Sequence, residues 1–367
     1  MRTLHVITGL NQGGAERQLG ALVTAGKSDC AVFSLLPPGP MSRPIREAGI
    51  PLFSGGAHNS LSPIWIPRLR QVLKRYQPSV VMGWMYHGNL AATLTRLMGH
   101  KGPVLWNVRH SLDSIRQERL GTQYTIRAGA PLSGRTTQVV YNSTKAARQH
   151  EALGYDPTKT AVIPNGFDTD RFRPSEALRR SLRRALGVGE EDWLLGVVGR
   201  DHPMKNHRVW LGALSRITQV RSDVYSMIIG RGIPDALDAR VSDQGLQHLV
   251  FLREATSQPE FVYPAFDLLI LPSAWGEGFP NVVGEAMACG VPAVVTPIGD
   301  SPMIVEASGF VTADATEESI YESVMFALSR VPPELRQRGM AARNSIMLKY
   351  NQSVMANRYE SILAGFS

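Results

Sequence analysis

The chain of 367 residues has few of the residues that build disulfide-held or metal-held folds. Only Cys30 and Cys289 occur, and no cluster of Cys and His has zinc-site spacing. A disulfide framework, a structural metal and redox chemistry are therefore not expected. No apolar run approaches the roughly 18 residues that span a bilayer, and the opening MRTLHVITGL alternates like a strand rather than a signal peptide. The sequence predicts a cytoplasmic protein.

Acidic residues are also in deficit. Lys and Arg number 39 against 31 Asp and Glu, which gives a net charge of +8 and favours nucleic acid, phosphorylated small molecules or an anionic membrane face as partners. The 43% hydrophobic and 19% charged content excludes a disordered chain. The basic residues concentrate in RLRQVLKRY, RHSLDSIRQERLGTQYTIR and RRSLRRALG. Contact with an anionic leaflet and a simple solvated helix face explain these stretches equally well.

Short apolar runs alternate with helical patterns along most of the chain. Continuous apolar strands separated by helices are typical of parallel sheets covered on both faces. The pattern restarts at Trp193. We therefore expect an α/β fold of two Rossmann-like domains whose parallel sheets face an interdomain cleft, where ligands of such sheets bind. The strand-like runs are TLHVIT, AVFSLL, SVVMGWM, PVLWNVR, QVVYNS, TAVIP, WLLGVVG, VYSMIIG, HLVFL, DLLILPS and PAVVTP.

Two motifs are not interpreted as ligand sites. The stretch GALVTAGKS, residues 20–28, has five residues between Gly20 and Gly26, where a P-loop has four, so we expect a helix end with Gly26 as its cap. Asp168 and Asp170 form an Asp-x-Asp pattern in a Pro/Gly-bounded linker, where aspartates commonly serve turns. No metal site is predicted.

Two segments carry weak signals for an anion site. Gly13 and Gly14 open a helix after a strand, so their backbone N–H groups face the space above the sheet; a plain connection explains them equally well. Arg200 and Lys205 follow the first strand of the second half, and a guanidinium and an ammonium five residues apart can converge on one diphosphate. Surface cations in solvent are the alternative.

The most specific segment is LILPSAWGEGFPNVVGEAMACGVPAVVT. Glu277 follows a buried strand, and we expect Glu285 in the first turn of the next helix. Carboxylates accept from pairs of sugar hydroxyls, and the loop Gly278-Phe279-Pro280-Asn281 offers backbone donors to phosphate. The pattern therefore suggests a nucleotide-sugar site. A single carboxylate near a helix start can also simply complement the helix dipole.

With these motifs the chain resembles glycosyltransferase family 4, the retaining GT-B enzymes, over nearly its whole length. The resemblance implies that Arg200 and Lys205 hold the donor diphosphate, that Glu277 holds sugar hydroxyls and that Glu285 holds the ribose. Backbone amides of Gly14 and of residues 279–281 would complete these contacts. It also implies an acceptor-binding domain over residues 1–165, a nucleotide-sugar domain over residues 166–349 and a helix at about 350–367 that crosses back.

A histidine is expected at the donor sugar. His110, after the strand in PVLWNVRHS, matches the family position, but His87 in WMYHGN also follows a strand. Both histidines remain candidates. His87 and Arg109 are also candidates for the acceptor side.

The implied reaction moves a sugar from a nucleoside diphosphate, UDP or GDP, to a hydroxyl of a glycan or polyprenyl-diphosphate-linked acceptor, with retention. This is a hexosyltransferase-type activity (EC 2.4), without metal or cofactor, in cell-surface polysaccharide synthesis. An epimerase acting on sugar nucleotides is the first alternative. A nucleic-acid-binding protein is the second, although no aromatic-basic interleaving supports it. Peripheral contact with the inner face of the cell membrane fits such a lipid-linked acceptor.

Overall fold

The structure is a computed structural model that describes residues 1–11, 13–26, 28–59, 62–112 and 114–366. It contains two compact units. The first unit comprises Met1–Gly166 and Gln352–Ser367, and the second unit comprises Phe167–Asn351. In the described part of the chain, no helix is both long enough and apolar enough to cross a membrane.

The first unit is built on a seven-stranded parallel sheet in the order β3-β2-β1-β4-β5-β6-β7. Its central strands are entirely buried because helices cover both faces. The strand order reverses between β1 and β4, and connections leave in opposite directions at such a point, which opens a crevice at the carboxyl ends of the strands. The strands are β1 (Thr3–Ile7), β2 (Cys30–Ser34), β3 (Leu52–Ser54), β4 (Val80–Trp84), β5 (Val104–Val108), β6 (Gln138–Tyr141) and β7 (Thr160–Val162).

Helices cover this sheet in two layers. One layer packs Leu69, Ala91, Ile126 and Ala146, each from a different helix, into a single core with the strands. The opposite layer contains the first helix, which buries Leu19 and Leu22. The helices are α1 (Gly14–Ala25), α2 (Ser42–Glu47), α3 (Trp65–Tyr76), α4 (Met85–Leu94), α5 (Leu120–Ser133) and α6 (Thr144–Glu151).

The second unit repeats the plan with a six-stranded parallel sheet in the order β10-β9-β8-β11-β12-β13. Its order reverses between β8 and β11. The strands are β8 (Trp193–Val198), β9 (Val224–Ile229), β10 (Val250–Arg253), β11 (Leu268–Leu271), β12 (Ala293–Val295) and β13 (Phe310–Val311). The helices are α7 (Glu176–Leu186), α8 (His207–Val220), α9 (Ile233–Asp243), α10 (Asn281–Ala288), α11 (Ser301–Val305), α12 (Glu317–Leu328) and α13 (Pro332–Lys349).

The last helix, α14 (Gln352–Ala364), belongs to the first unit. It packs against α1, and Nε2 of Gln352 donates to the carbonyl of Ala21 at 2.6 Å. Tyr359 is fully buried beside Trp84, with ring centroids 6.3 Å apart. A chain segment distant in sequence thus completes one face of the first sheet.

Several local expectations agree with these elements, and some do not. Helix α1 ends at Ala25 with Gly26 as its cap, as expected. Oδ1 of Asp168 accepts from the backbone N–H of Asp170 at 3.1 Å, so this aspartate serves a turn. Strands β3 and β13 were not predicted; β13 has only two residues, which are too few to show a period.

Candidate functional site

The reversal of strand order in the second unit brings Lys205 and Glu277 together. Lys205 ends a 3₁₀ turn, Pro203–Lys205, on the loop after β8, and Glu277 lies on the loop after β11. Nζ of Lys205 is 2.6 Å from Oε1 of Glu277 across 72 residues of sequence. The side chains are only 16% and 8% exposed, so solvent screens this ion pair little.

Close backbone contacts hold the two loops in place. The backbone N–H of Ala274 donates to the carbonyl of Met204 at 2.9 Å. Gly276 adopts φ +75°, and a Cβ there would lie 2.3 Å from Sδ of Met204. The left-handed backbone conformation favours glycine at this position, and a larger residue would also have to displace the Met204 side chain.

Glu277 is further fixed by its own surroundings. The buried hydroxyl of Ser273 donates to Oε1 of Glu277 at 2.6 Å. Behind the loop, a Cβ on Gly299 would lie 2.0 Å from the carbonyl oxygen of Glu277, and Asp300 donates its N–H to the carbonyl of Gly278 at 2.9 Å. The carboxylate is thus held on a loop that has little freedom to move.

Glu285 does not lie where the sequence placed it. Helix α10 begins at Asn281, so Glu285 falls in its second turn, and the expectation of a first-turn position was wrong. Its side chain is buried, and the hydroxyl of Tyr263 donates to Oε2 at 2.8 Å. A helix-dipole role at the start of α10 is therefore excluded, since that effect is confined to the first turn.

The loop from Gly278 to Asn281 is anchored by an aromatic side chain. Phe279 is buried and stacks on Phe167, with ring centroids 6.2 Å apart. Its ring also lies 5.0 Å from that of Tyr350. Pro280 caps α10 and Asn281 is its first residue. The Phe279 ring faces the core, so this residue can offer a ligand only its backbone.

Arg200 differs from Lys205. Its carbonyl accepts from Nε2–H of His207 at 3.1 Å, and the residue is exposed. Its guanidinium pairs with none of the residues that the structure describes. The structure therefore places Lys205 against Glu277 and leaves Arg200 in solvent.

In the first unit, Gly13 caps α1 and Gly14 is its first residue. The carboxylate of Glu16 lies against this end of the helix. It is so close that a Cβ on Gly13 would lie 2.2 Å from Oε2 of Glu16. Burial raises the pKa of Glu16, and a hydrogen bond from its own backbone N–H opposes the rise. An anion approaching these N–H groups would meet this carboxylate.

The two candidate histidines have different partners. His110 follows β5 and donates from Nε2 to Oε1 of Glu118 at 2.8 Å. Its ring meets that of Tyr86 edge-on at 6.4 Å. His87 is the third residue of α4, with Nε2 3.4 Å from Oγ1 of Thr125, and burial lowers its pKa.

Arg109 is committed to the scaffold of the first unit. Its Nη1 donates to the carbonyl of Ile163 at 3.0 Å and to Oδ1 of Asn165 at 2.9 Å. Nη2 donates to the hydroxyl of Tyr359, and the guanidinium lies 5.5 Å from the ring centroid of Trp84. With these partners Arg109 connects β5 to the segment after β7 and to α14. Both of its Nη atoms already donate within the unit, so the side chain has few donors left for a ligand.

Three of these partners were missed by the sequence analysis. Ser273 is the last residue of the predicted strand DLLILPS, so its position at a strand end could have suggested a role at the site. Tyr263 and Glu118 carry no local pattern that connects them with Glu285 and His110. Across the residues that the structure describes, no group of three His, Cys, Asp or Glu side chains could hold a metal ion.

Comparison with known proteins identifies the family of the chain. The model of Glycosyltransferase Family 4 matches residues 12–171, and that of Glycosyl transferases group 1 matches residues 193–330. The two matches cover most of the chain, one in each unit. The chain belongs to glycosyltransferase family 4 and has the GT-B fold.

Individual relatives agree with this assignment. The D-inositol 3-phosphate glycosyltransferase of Segniliparus rotundus is 25% identical over 286 residues, which are 74% of this chain. The match spans only 60% of that relative's length. Among solved structures, Anabaena Alr3699/HepE in complex with UDP-glucose has a TM-score of 0.86 at 20% identity, with all of both chains covered. WaaG, a glycosyltransferase of lipopolysaccharide biosynthesis, has a TM-score of 0.74 at 17% identity, with 98% of each chain covered.

Proposed function

We propose that the protein transfers a hexosyl group from a UDP-sugar to an acceptor hydroxyl, with retention at the anomeric carbon and without a metal. The observation that carries this proposal is the Lys205–Glu277 pair at the reversal point of the second sheet. It puts a cation for a diphosphate beside a carboxylate for sugar hydroxyls. A GDP-sugar would satisfy the same two groups.

In this proposal each group of the second unit has one task. Lys205, with Arg200, stabilises the negative charge that develops on the leaving diphosphate. Lys205 is held in place by Glu277, and a cation positioned in advance fills this role without reorganisation. Glu277 and the backbone of residues 278–281 hold the donor sugar, and Glu285 holds the ribose. The diphosphate oxygen takes the proton from the acceptor hydroxyl.

The first unit is proposed to bind the acceptor, a glycan or a polyprenyl-diphosphate-linked sugar. His110, oriented by Glu118, is proposed to contact the donor sugar, and His87 is the second candidate for that contact. The N–H groups of Gly13 and Gly14 are secondary candidates for binding an anion. Nε2 of His110 is engaged by Glu118, so Nδ1 is the ring nitrogen proposed to contact a sugar hydroxyl. The involvement of WaaG in lipopolysaccharide biosynthesis supports a place for this protein in surface-polysaccharide synthesis. A location on the inner face of the cell membrane is part of the same proposal.

The test uses UDP-glucose as the probe donor. Binding of UDP-glucose to the folded state must raise the melting temperature, whereas a nucleotide that does not bind leaves it unchanged. Slow hydrolysis of UDP-glucose, followed by proton NMR, then reports stereochemistry, since retention releases α-glucose first. Release of β-glucose first would contradict retention. No thermal shift with any UDP-sugar or GDP-sugar would contradict the proposed donor class.

A further inference from the structure

A buried histidine of the first unit lies among tyrosines. His150, on α6, is entirely buried. Three tyrosine rings surround it at centroid distances of 5.8, 5.4 and 5.1 Å, those of Tyr86, Tyr141 and Tyr155. Nδ1 of His150 lies 2.7 Å from the carbonyl oxygen of Ala146, so Nδ1 carries the hydrogen and donates. Burial lowers the pKa of His150 to about 4, so the ring is neutral at neutral pH and Nε2 is left to accept.

The group that donates to Nε2 of His150 is the hydroxyl of Tyr86, at 3.0 Å. Tyr86 is the second residue of α4 and is buried. Its ring lies edge-on to the ring of His110, with centroids 6.4 Å apart. An edge-on contact depends on the orientation of both rings. His110 therefore lies against a ring that cannot turn without breaking a buried hydrogen bond.

Gln149, the neighbour of that histidine on α6, holds the backbone beside His110. Its Oε1 accepts from the backbone N–H of Leu112 at 2.8 Å and from the hydroxyl of Ser111 at 2.6 Å. Ser111 and Leu112 follow His110 directly, and both are buried. Helix α6 thus supports His110 in two ways, through a ring contact and through the backbone.

The other candidate histidine, His87, is held less firmly. Its Nε2 lies 3.4 Å from the hydroxyl of Thr125, which is long for a hydrogen bond. Nε2 of His110 lies 2.8 Å from Oε1 of Glu118, and the two supports from α6 add to this contact. A side chain that acts on a substrate needs an orientation fixed to within a fraction of an ångström. These supports favour His110 over His87 for such a role.

We propose that Gln149 and His150 are positioning residues for the contact of His110 with the donor sugar. Gln149 acts through the backbone, and His150 acts through the ring of Tyr86. Neither residue touches the substrate, and both fix the place from which His110 reaches it. The sugar contact rests on the proposed function, whereas the orientation of the His110 ring does not, so the experiments test the two separately.

The first experiment removes only the hydroxyl of Tyr86. Tyr86→Phe keeps a ring beside His110 but releases that ring from His150. A displacement of about 1 Å can cost roughly 100-fold in rate, and we expect a smaller shift here to slow hydrolysis of UDP-glucose about tenfold. The matched control Tyr155→Phe also removes a buried hydrogen bond, the one to the carbonyl of Ile126 at 3.1 Å, and should stay within about twofold of wild type. Equal losses in the two variants would overturn the proposal.

The second experiment asks whether the loss is transmitted through His110. In a His110→Ala background, Tyr86→Phe should change hydrolysis by less than about twofold, because the group that Tyr86 positions is gone. The two changes are then strongly non-additive. A further loss of about tenfold in that background would show a general weakening of the first unit and would overturn the proposal.

A second pair of variants tests Gln149. Gln149→Leu removes the acceptor of two buried donors and should slow hydrolysis about tenfold. Ser111→Ala removes only one of those donors and should give a smaller loss. Arg148→Leu, at the exposed neighbour on α6, is the control and should stay within about twofold of wild type. Wild-type rates in both Gln149→Leu and Ser111→Ala would overturn the role of Gln149.

Nitrogen-15 NMR of the histidine rings tests the orientation of His110 without substrate. The His110 signals, assigned by their absence in His110→Ala, should shift or broaden in Tyr86→Phe and in Gln149→Leu but not in Tyr155→Phe. Unchanged His110 signals in the first two variants would overturn the positioning by α6. Changed signals with wild-type hydrolysis would instead contradict the sugar contact of His110 in the proposed function.

Discussion

The two units have the same order of central strands but use the charged residues at their carboxyl edges differently. In the second unit, Lys205 and Glu277 meet each other on two loops that are fixed by glycines. In the first unit, Arg109 is bound by the segment after β7 and by α14, and His110 by Glu118. A charged residue after a strand is therefore a weaker ligand candidate where the scaffold binds most of its polar atoms, as it does for Arg109.

The largest effect is expected at Lys205. Lys205→Ala should lower turnover by roughly 10² to 10³, the loss typical of one fixed donor to a developing anion. Arg200→Ala removes the exposed cation proposed for the same diphosphate and should lower turnover in the same direction. Steady-state kinetics with UDP-glucose measure both. Activity within threefold of wild type in Lys205→Ala would remove this residue from the diphosphate site.

Arg109→Ala should act on stability instead. It removes the guanidinium that bonds Ile163, Asn165 and Tyr359, and loss of a partly buried charged hydrogen-bond network costs about 3 kcal/mol. Urea denaturation, with hydrogen exchange to assign the loss to the first unit, checks this. Arg135→Ala, at an exposed arginine of the same unit, is the control. Wild-type stability in Arg109→Ala would contradict this structural role and make Arg109 a candidate acceptor ligand again.

Acid should weaken the first unit through its buried histidines. Burial lowers the pKa of His5 to about 3 and that of His150 to about 4, so the folded unit resists protons that the unfolded chain takes up. Above pH 6.5 these histidines are neutral in both the folded and the unfolded chain, so they do not lower the free energy of unfolding. As the pH falls towards 4, only the unfolded chain takes up the protons, and the free energy of unfolding drops by about 2 kcal/mol per histidine at pH 5. Urea denaturation at pH 7.5 and 5.0 measures the loss.

The matched variant for that prediction is His150→Gln, which keeps a polar side chain but cannot titrate. Its stability should depend less on pH between 6.5 and 4 than that of the wild type, whatever its stability at pH 7.5. The same pH slope in both proteins would show that His150 does not contribute. In the second unit burial also lowers the pKa of His207, so a smaller loss of the same sign is expected there.

The smallest effect is expected from chelation. The described residues offer no cluster of metal ligands, and Asp168 serves a turn. EDTA should therefore leave transfer within about twofold of the untreated rate. Loss of transfer that magnesium or manganese restores would contradict the proposed mechanism at Lys205.

The sequence predicted the fold because continuous apolar strands and amphipathic helices encode the parallel sheets locally. It also singled out both members of the Lys205–Glu277 pair, since each lies on the segment that follows a predicted strand. It did not predict that they pair with each other, because that contact depends on how closely the loop after β8 approaches the loop after β11. The partner of Glu285, Tyr263, lies in a short 3₁₀ segment without any pattern, and the commitment of Arg109 depends on α14, about 250 residues away.

Calorimetric titration of Glu277→Gln and Glu285→Gln with UDP-glucose and with UDP tests the central claim most directly. Glu277→Gln replaces an acceptor oxygen with donors, so binding of UDP-glucose should weaken at least tenfold while binding of UDP is not weakened. Glu285→Gln should weaken both ligands, because both contain the ribose. Equal losses of UDP-glucose and UDP in Glu277→Gln would contradict the assignment of Glu277 to the donor sugar.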